Sequence, residues 1–194
     1  MITALVLAAG ESRRMGRTKL LLPFGQKTMI EAVISHVTRS QVNHIIVVLG
    51  ADADKIKSKI KNLPIATVLN SNYKQGMLSS IKCGFHHLPE KTEAVLVCLG
   101  DQPSIPSSVA DQVIETYKKT KKGIVVPVYH KERGHPVLID VKYKKEIEKL
   151  DPAIGLRQLV YNHPEDTVEV KVDTSSILRD IDSVDDYEQE LKKH

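Results

Sequence analysis

The chain has 194 residues, enough for one well-buried core and too few for two comfortable ones. With no Trp and only 4% aromatic residues, the core of this 41% hydrophobic chain must be aliphatic. A net charge of +4, with no long basic run interleaved with aromatics, suits an anionic small molecule and argues against nucleic acid.

No apolar stretch approaches the length of a membrane span, and Met1-Ile2-Thr3 opens a strand rather than a signal peptide. The expected setting is the cytoplasm. Cys83 and Cys98 are the only cysteines, which suggests neither a disulfide framework nor a zinc site. Cys98 lies inside an apolar run and reads as a buried, reduced thiol.

The first element is an apolar strand led by Ile2 and continuing through Leu5-Val6-Leu7. It stops abruptly at Ala8-Ala9-Gly10, and three arginines and a lysine follow by position 19. Residues 19–25 read as a short extended piece closed by a turn. Thr28-x-x-Glu31 has capping-box spacing and opens a helix to about Gln41. His44–Leu49 is a second buried strand, followed by a Lys-rich helix around 52–61 and a third strand at 65–69. A polar loop at 70–76 leads into a helix from Met77 to His87. Ala94–Leu99 is the fourth strand, with Gly100-Asp101-Gln102-Pro103 at its end. Pro106 suits the first turn of a helix running to about Lys119. Ile124–Tyr129 and 136–140 read as strands around the polar loop 130–135. Short helices around 143–150 and 155–162 precede a strand at 168–172. A last strand is expected at 177–181, and Ser183-x-x-Asp186 opens a C-terminal helix.

Alternation of strand and helix in the first part implies right-handed βαβ units. The second part leaves room for an antiparallel member. The expectation is one three-layer α/β domain over residues 1–194 with a mainly parallel, mixed sheet. Ligands of such sheets sit beyond the carboxyl ends of the strands. The loops at 8–19, 70–80, 100–103 and 180–182 should therefore share one face.

Small residues at Leu7-Ala8-Ala9-Gly10 let backbone N–H groups approach an anion, and Arg13 and Lys19 bring charge to the same place. That is the pattern of a polyphosphate cradle; its plainer alternative is an exposed basic loop. Asp101, on a tight turn after a strand, could hold Mg²⁺, which takes few protein oxygens and the rest from water and phosphate. It also reads as an ordinary turn residue. Asp180 and Asp182 alternate on an extended segment and can supply a second ligand, or they can cap the following helix. Asn70, Ser79 and Ser80, beside Gly76, offer amide and hydroxyl groups to a base edge, or equally are the ordinary polarity of a loop and a helix start. Arg133, His135 and Arg157 stand at element starts as contacts for a second anionic substrate, although a lone His before Pro is more often structural. No Ser-His-Asp or Cys-His constellation is evident.

Together these motifs resemble a known family. Leu7-Ala8-Ala9-Gly10-x-Ser12-x-Arg14-Met15-Gly16-x-x-Lys19-Leu20-Leu21-Leu22-Pro23 is similar to the signature of nucleotidyltransferases related to the molybdenum cofactor cytidylyltransferases. So, in the same order, are Gly76-Met77-x-Ser79-Ser80-Ile81-x-x-Gly84, Gly100-Asp101-Gln102-Pro103, Arg133-Gly134-His135-Pro136, Gly155-Leu156-Arg157 and Asp180-Ile181-Asp182-Ser183. The resemblance implies a Rossmann-like, glycosyltransferase-A-type fold. It implies CTP and a molybdopterin-type molybdenum cofactor as substrates, Mg²⁺ as the metal, and a client molybdoenzyme as a partner. The sister guanylyltransferases carry Leu-Ala-Gly-Gly where this chain has Leu7-Ala8-Ala9-Gly10, which favours cytosine. Alternatives are GTP as donor, another small phosphate as acceptor, or a non-catalytic nucleotide-binding accessory protein. Val184 and Tyr73 stand where the family usually has Pro and Trp.

Overall fold

The computed structural model describes residues 1–192. Its strands are β1 (Ile2–Ala8), β2 (Pro23–Phe24), β3 (Lys27–Thr28), β4 (His44–Leu49), β5 (Ala66–Leu69), β6 (Ala94–Leu99), β7 (Ile124–Tyr129), β8 (Glu132–Arg133), β9 (Val137–Asp140) and β10 (Thr167–Lys171). Its helices are α1 (Met29–Thr38), α2 (Ala53–Ile60), α3 (Met77–His86), α4 (Ser107–Thr120), α5 (Lys144–Ile147), α6 (Leu156–Asn162) and α7 (Val184–Leu191).

The main sheet runs β10-β7-β9-β6-β1-β4-β5, with β8 paired to β7. β6, β1, β4 and β5 are mutually parallel. β9 enters antiparallel between β6 and β7, the antiparallel member that the second part of the sequence left room for.

The strands are apolar on both faces because both faces are covered. Ala4, Val6 and Ala8 of β1 point into one cluster with Ile30 and Ile34 of α1, Ile56 of α2 and Val113 of α4. Leu5, between them, faces a second cluster with Leu78, Ile81 and Phe85 of α3, Ile147 of α5 and Leu159 of α6. β4 and β6 divide in the same way, Val47 and Leu96 to one side and Val48 and Val97 to the other. This period-two division across a doubly covered sheet explains the unbroken apolar runs. Gly84 of α3 lets the helix lie directly on Leu5; a Cβ there would stand 2.6 Å from a Leu5 methyl.

Three segments differ from expectation. Residues 19–21 form a 3-10 turn before the two-residue strand β2, so only the end of that piece is extended. The polar loop after β7 contains β8. Most consequentially, no strand forms at 177–181: Ser175–Leu178 is a 3-10 turn. Thr174 Oγ1 accepts the Ser176 N–H, so local side-chain bonding in the Thr-Ser-Ser run displaces the ladder. The freed backbone groups serve loops instead. Ile177 O accepts the His135 N–H at 3.1 Å, and the Ile181 N–H donates to Asp101 O at 3.1 Å.

Gly134 sits against that turn, where an added Cβ would overlap the Ile177 carbonyl. Backbone, not a flexible side chain, is the obstacle. Gly134→Ala is therefore expected to destabilise the protein by about 1–3 kcal/mol, read as a lower urea midpoint with unchanged slope.

Candidate functional site

β1 ends in the centre of the sheet with Ala8 and Ala9 both buried. Ala9 O accepts the Ala51 N–H, tying the first loop to the end of β4. A Cβ on Gly50 would stand 2.7 Å from Ala9 Cβ and 2.7 Å from Tyr73 Cβ, so the loops after β1, β4 and β5 meet there because residue 50 has no side chain. The first loop then turns sharply. Ser12 and Gly16 both adopt left-handed backbone angles, and the buried Met15 anchors the turn between them. Ser12 Oγ accepts the Lys19 N–H at 3.2 Å, which returns the chain to the carboxyl ends of the central strands with Lys19 facing inward.

Lys19 joins the two acidic segments. Its Nζ donates to Asp101 Oδ2 at 2.6 Å and to Asp182 Oδ1 at 2.8 Å. Only 12% of the Lys19 side chain is exposed. Burial alone would depress its pKa, but the two carboxylates outweigh burial and the net direction is upward. Asp182 also takes Arg14 Nη2 at 2.6 Å. Burial pushes the Asp182 carboxyl up, and Lys19 and Arg14 more than reverse it, holding it below its ordinary value. Asp180 goes the other way, raised by desolvation and by the Asp101 and Asp182 carboxylates. Its partner is Gln102, whose Nε2 donates to Asp180 Oδ1 at 2.7 Å.

Leu7, Ala8, Gly10, Arg13, Arg14, Lys19, Asp101 and Asp182 line one open cleft of about 400 Å³. The structure thus brings together the first loop, the Asp101 turn and the 180–182 segment. Arg13 borders the cleft but pairs with Glu11 at 2.7 Å, whereas Arg14, not singled out by spacing, holds Asp182. The quoted motif contained Arg14, and that was the one available signal for it.

The other candidates are placed differently. Asn70 is buried and its amide N–H groups donate to Ser79 Oγ at 2.9 Å and Ser80 Oγ at 3.0 Å, while its oxygen accepts the Asn72 N–H. Ser79 in turn donates to Gly76 O. These groups fold the 70–76 loop onto the start of α3, with Gly76 at φ +95°, a conformation that excludes most side chains. Arg133 pairs with Glu169 of β10 at 2.8 Å and does not border the cleft. Arg157 is exposed on the first turn of α6.

His135 is half-buried. Burial drives its pKa down to about 4, helped by Arg157 and opposed by Asp101. A native pKa below the unfolded value means that the unfolded chain takes up the proton first. The His135 contribution to stability is therefore present above about pH 6.5, the ordinary histidine pKa, and lost as pH falls towards 4. Urea midpoints measured from pH 7 to pH 4 should fall less steeply for His135→Gln than for the wild type.

The donor set fits a small hard cation. Two carboxylate oxygens already meet one positive atom, and carboxylates are the ligands that Mg²⁺ accepts alongside water and phosphate. Among the described residues, no group of three or more His, Cys, Asp or Glu side chains forms a self-sufficient metal cage. No helix among them is long and apolar enough to cross a membrane. Cys98 is buried, its thiol pushed up to about 12 by desolvation, in keeping with an inert thiol.

A family model described as the MobA-like NTP transferase domain matches residues 4–168. The molybdenum cofactor cytidylyltransferase of Escherichia coli (strain K12) is 26% identical over 187 residues, covering 96% of this chain and 93% of that protein. The nicotine blue oxidoreductase of Paenarthrobacter nicotinovorans is 29% identical over 147 residues, covering 72% and 71%. Among solved structures, Rv0371C of Mycobacterium tuberculosis H37Rv, in complex with manganese, is similar with a TM-score of 0.85 and 24% identity, covering 100% of this chain and 99% of that one. That last likeness is one of fold. The chain belongs to the MobA-like NTP transferase family, nucleotidyltransferases built on this mixed, mainly parallel α/β sheet.

Proposed function

We propose that the protein transfers CMP from CTP to the terminal phosphate of a molybdopterin-type molybdenum cofactor, releasing pyrophosphate. The observation that carries the reading is Lys19 Nζ lying between Asp101 and Asp182 at the mouth of a small-residue loop. It is supported by the family and by the cytidylyltransferase relative.

A phosphate monoester is already anionic at neutral pH, so the attacking oxygen needs no general base. This accords with His135, whose basicity burial lowers. The chain's contribution is then placement and charge neutralisation. The N–H groups around Ala8, Ala9 and Gly10 receive the triphosphate. Lys19 leaves its carboxylates to meet phosphate oxygens, with Arg13 and Arg14 closing over the cleft. The acceptor oxygen attacks the α-phosphorus in line, the bond to the β-phosphate oxygen breaks, and that oxygen leaves as pyrophosphate. Asp101 and Asp182 would hold Mg²⁺, while Asp180 is bonded to the Gln102 amide. When bound, Mg²⁺ offsets negative charge on the nucleotide oxygens. Asn70, Ser79 and Ser80 shape the loop facing the base, and Ala9, packed on Gly50, is where cytosine is favoured over guanine. His135 and Arg157 contribute to the acceptor side, with Arg133 further out. The setting is cytoplasmic, and the product passes to a client molybdoenzyme.

Pyrophosphate release followed with each of the four nucleoside triphosphates, with and without the molybdenum cofactor, tests this reading. Release is expected with CTP and the cofactor together. Release with GTP alone among the donors moves the assignment to guanylyl transfer. CTP binding without release with any acceptor makes the protein an accessory binder.

A further inference from the structure

Asp180 and Asp182 both lie near the cationic centre: Asp180 feels the charges of Asp101, Asp182 and Lys19. Ile181 between them is 2% exposed and its N–H donates to Asp101 O, which fixes the segment against the Asp101 turn. What separates them is their partners. Asp182 takes Lys19 and Arg14, while Asp180 takes the Gln102 amide.

We propose that Gln102 is a positioning residue that holds Asp180 away from the cationic centre, leaving Asp101 and Asp182 as the pair that serves it. This rests on the nucleotidyltransferase reading above.

Gln102 is 4% exposed and follows Asp101 directly. Its Nε2 donates both to Asp180 Oδ1 at 2.7 Å and to Ile177 O at 3.3 Å. Its Oε1 is buried with no partner, the one such side-chain atom among the described residues. An orphaned buried acceptor is costly and asks for a reason. Turning the amide over would set Oε1 against a carbonyl and a carboxylate, so its neighbours fix the orientation. The unmet oxygen is the consequence of keeping the donor on Asp180.

Without the amide, Asp180 turns towards Lys19 and makes three carboxylates around one ammonium group. A third carboxylate strengthens binding of a free divalent ion and repels a triphosphate. The two affinities should move in opposite directions, which a merely loosened structure would not produce.

The test uses Mn²⁺ as the probe, titrated by electron paramagnetic resonance, and CTP titrated calorimetrically with Mn²⁺ present. Gln102→Met keeps the volume and removes the donor. It is expected to bind Mn²⁺ alone about 10-fold more tightly and CTP about 10-fold more weakly, the scale typical of outer-shell partners of a metal site. Adding Asp180→Asn to that variant should return both values to those of the wild type. Asp180→Asn alone should change neither, and it supplies the test should Gln102→Met fail to fold. Unchanged affinities in Gln102→Met, no rescue in the double variant, or a loss of Mn²⁺ binding in Asp180→Asn alone each overturn the role of Gln102. A wild-type protein that binds neither Mn²⁺ nor CTP overturns the nucleotidyltransferase reading and this role together.

Discussion

Asp101→Ala is expected to abolish nucleotidyl transfer while leaving the fold near intact. Its side chain bonds Lys19 beyond the carboxyl ends of the central strands, and the contact that ties it to the 180–182 segment is made by its backbone oxygen, which alanine keeps. The change therefore removes a carboxylate and no packing. In the proposed mechanism it leaves Asp182 alone to face the metal and the phosphates. Loss of one preorganised electrostatic contact lowers rates by about 10²–10³, and loss of a metal ligand adds to that. Pyrophosphate release and the thermal midpoint should be measured on the same preparation. A variant that keeps most of its activity with Mg²⁺ would remove Asp101 from the site, and one that unfolds would make its role structural.

Lys19→Met should be the second large effect, and it acts on two states. In the nucleotide-free protein the methionine leaves Asp101 and Asp182 facing each other without their shared cation. Removing one member of a part-buried pair costs more than the pair contributes, since the remaining charges stay desolvated. The thermal midpoint should fall, and fall less when Asp101→Ala is added, because the repulsion is then gone. In the reaction, the phosphates lose their inward-facing ammonium group, again worth about 10²–10³ in rate. The combined loss in the double variant should be smaller than the product of the single losses, as for residues that act as a unit. An unchanged rate in Lys19→Met would take this residue out of the phosphate site.

The parallel core was legible because burial on both faces forces unbroken apolar runs, and His44–Leu49, Ala94–Leu99 and Ile124–Tyr129 fall where those runs fall. Both caps were legible for a local reason: Thr28 with Glu31, and Ser183 with Asp186, satisfy helix-start donors within four residues. The turn at Ser175–Leu178 was not, because its apolar residues look like a strand and its partners, His135 and Gln102, are distant in sequence. The meeting of Lys19 with Asp101 was foreseeable from the parallel alternation, since both follow the carboxyl ends of neighbouring parallel strands. The pairing of Arg14, rather than Arg13, with Asp182 was not. It depends on a left-handed Ser12, and no composition rule predicts that backbone. Gln102 stood in a quoted motif with no role of its own, because its bond is seen only once Asp180 is beside it.

Lys19 and Asp182 are 163 positions apart, and the Tyr187 hydroxyl closes on Pro23 O across 164. β1 itself is flanked by β4 and β6, so its second neighbour arrives only with residue 94. β1 and its loop are thus made well before the segments that complete them, and contacts of such span slow folding. A nascent chain can build most of the sheet while its Lys19 still has no Asp182 to meet. The loop and the 180–182 segment act as a two-part latch: a chain made only as far as residue 179 carries the first part and lacks the second, so in the proposed mechanism it has no finished place for a triphosphate.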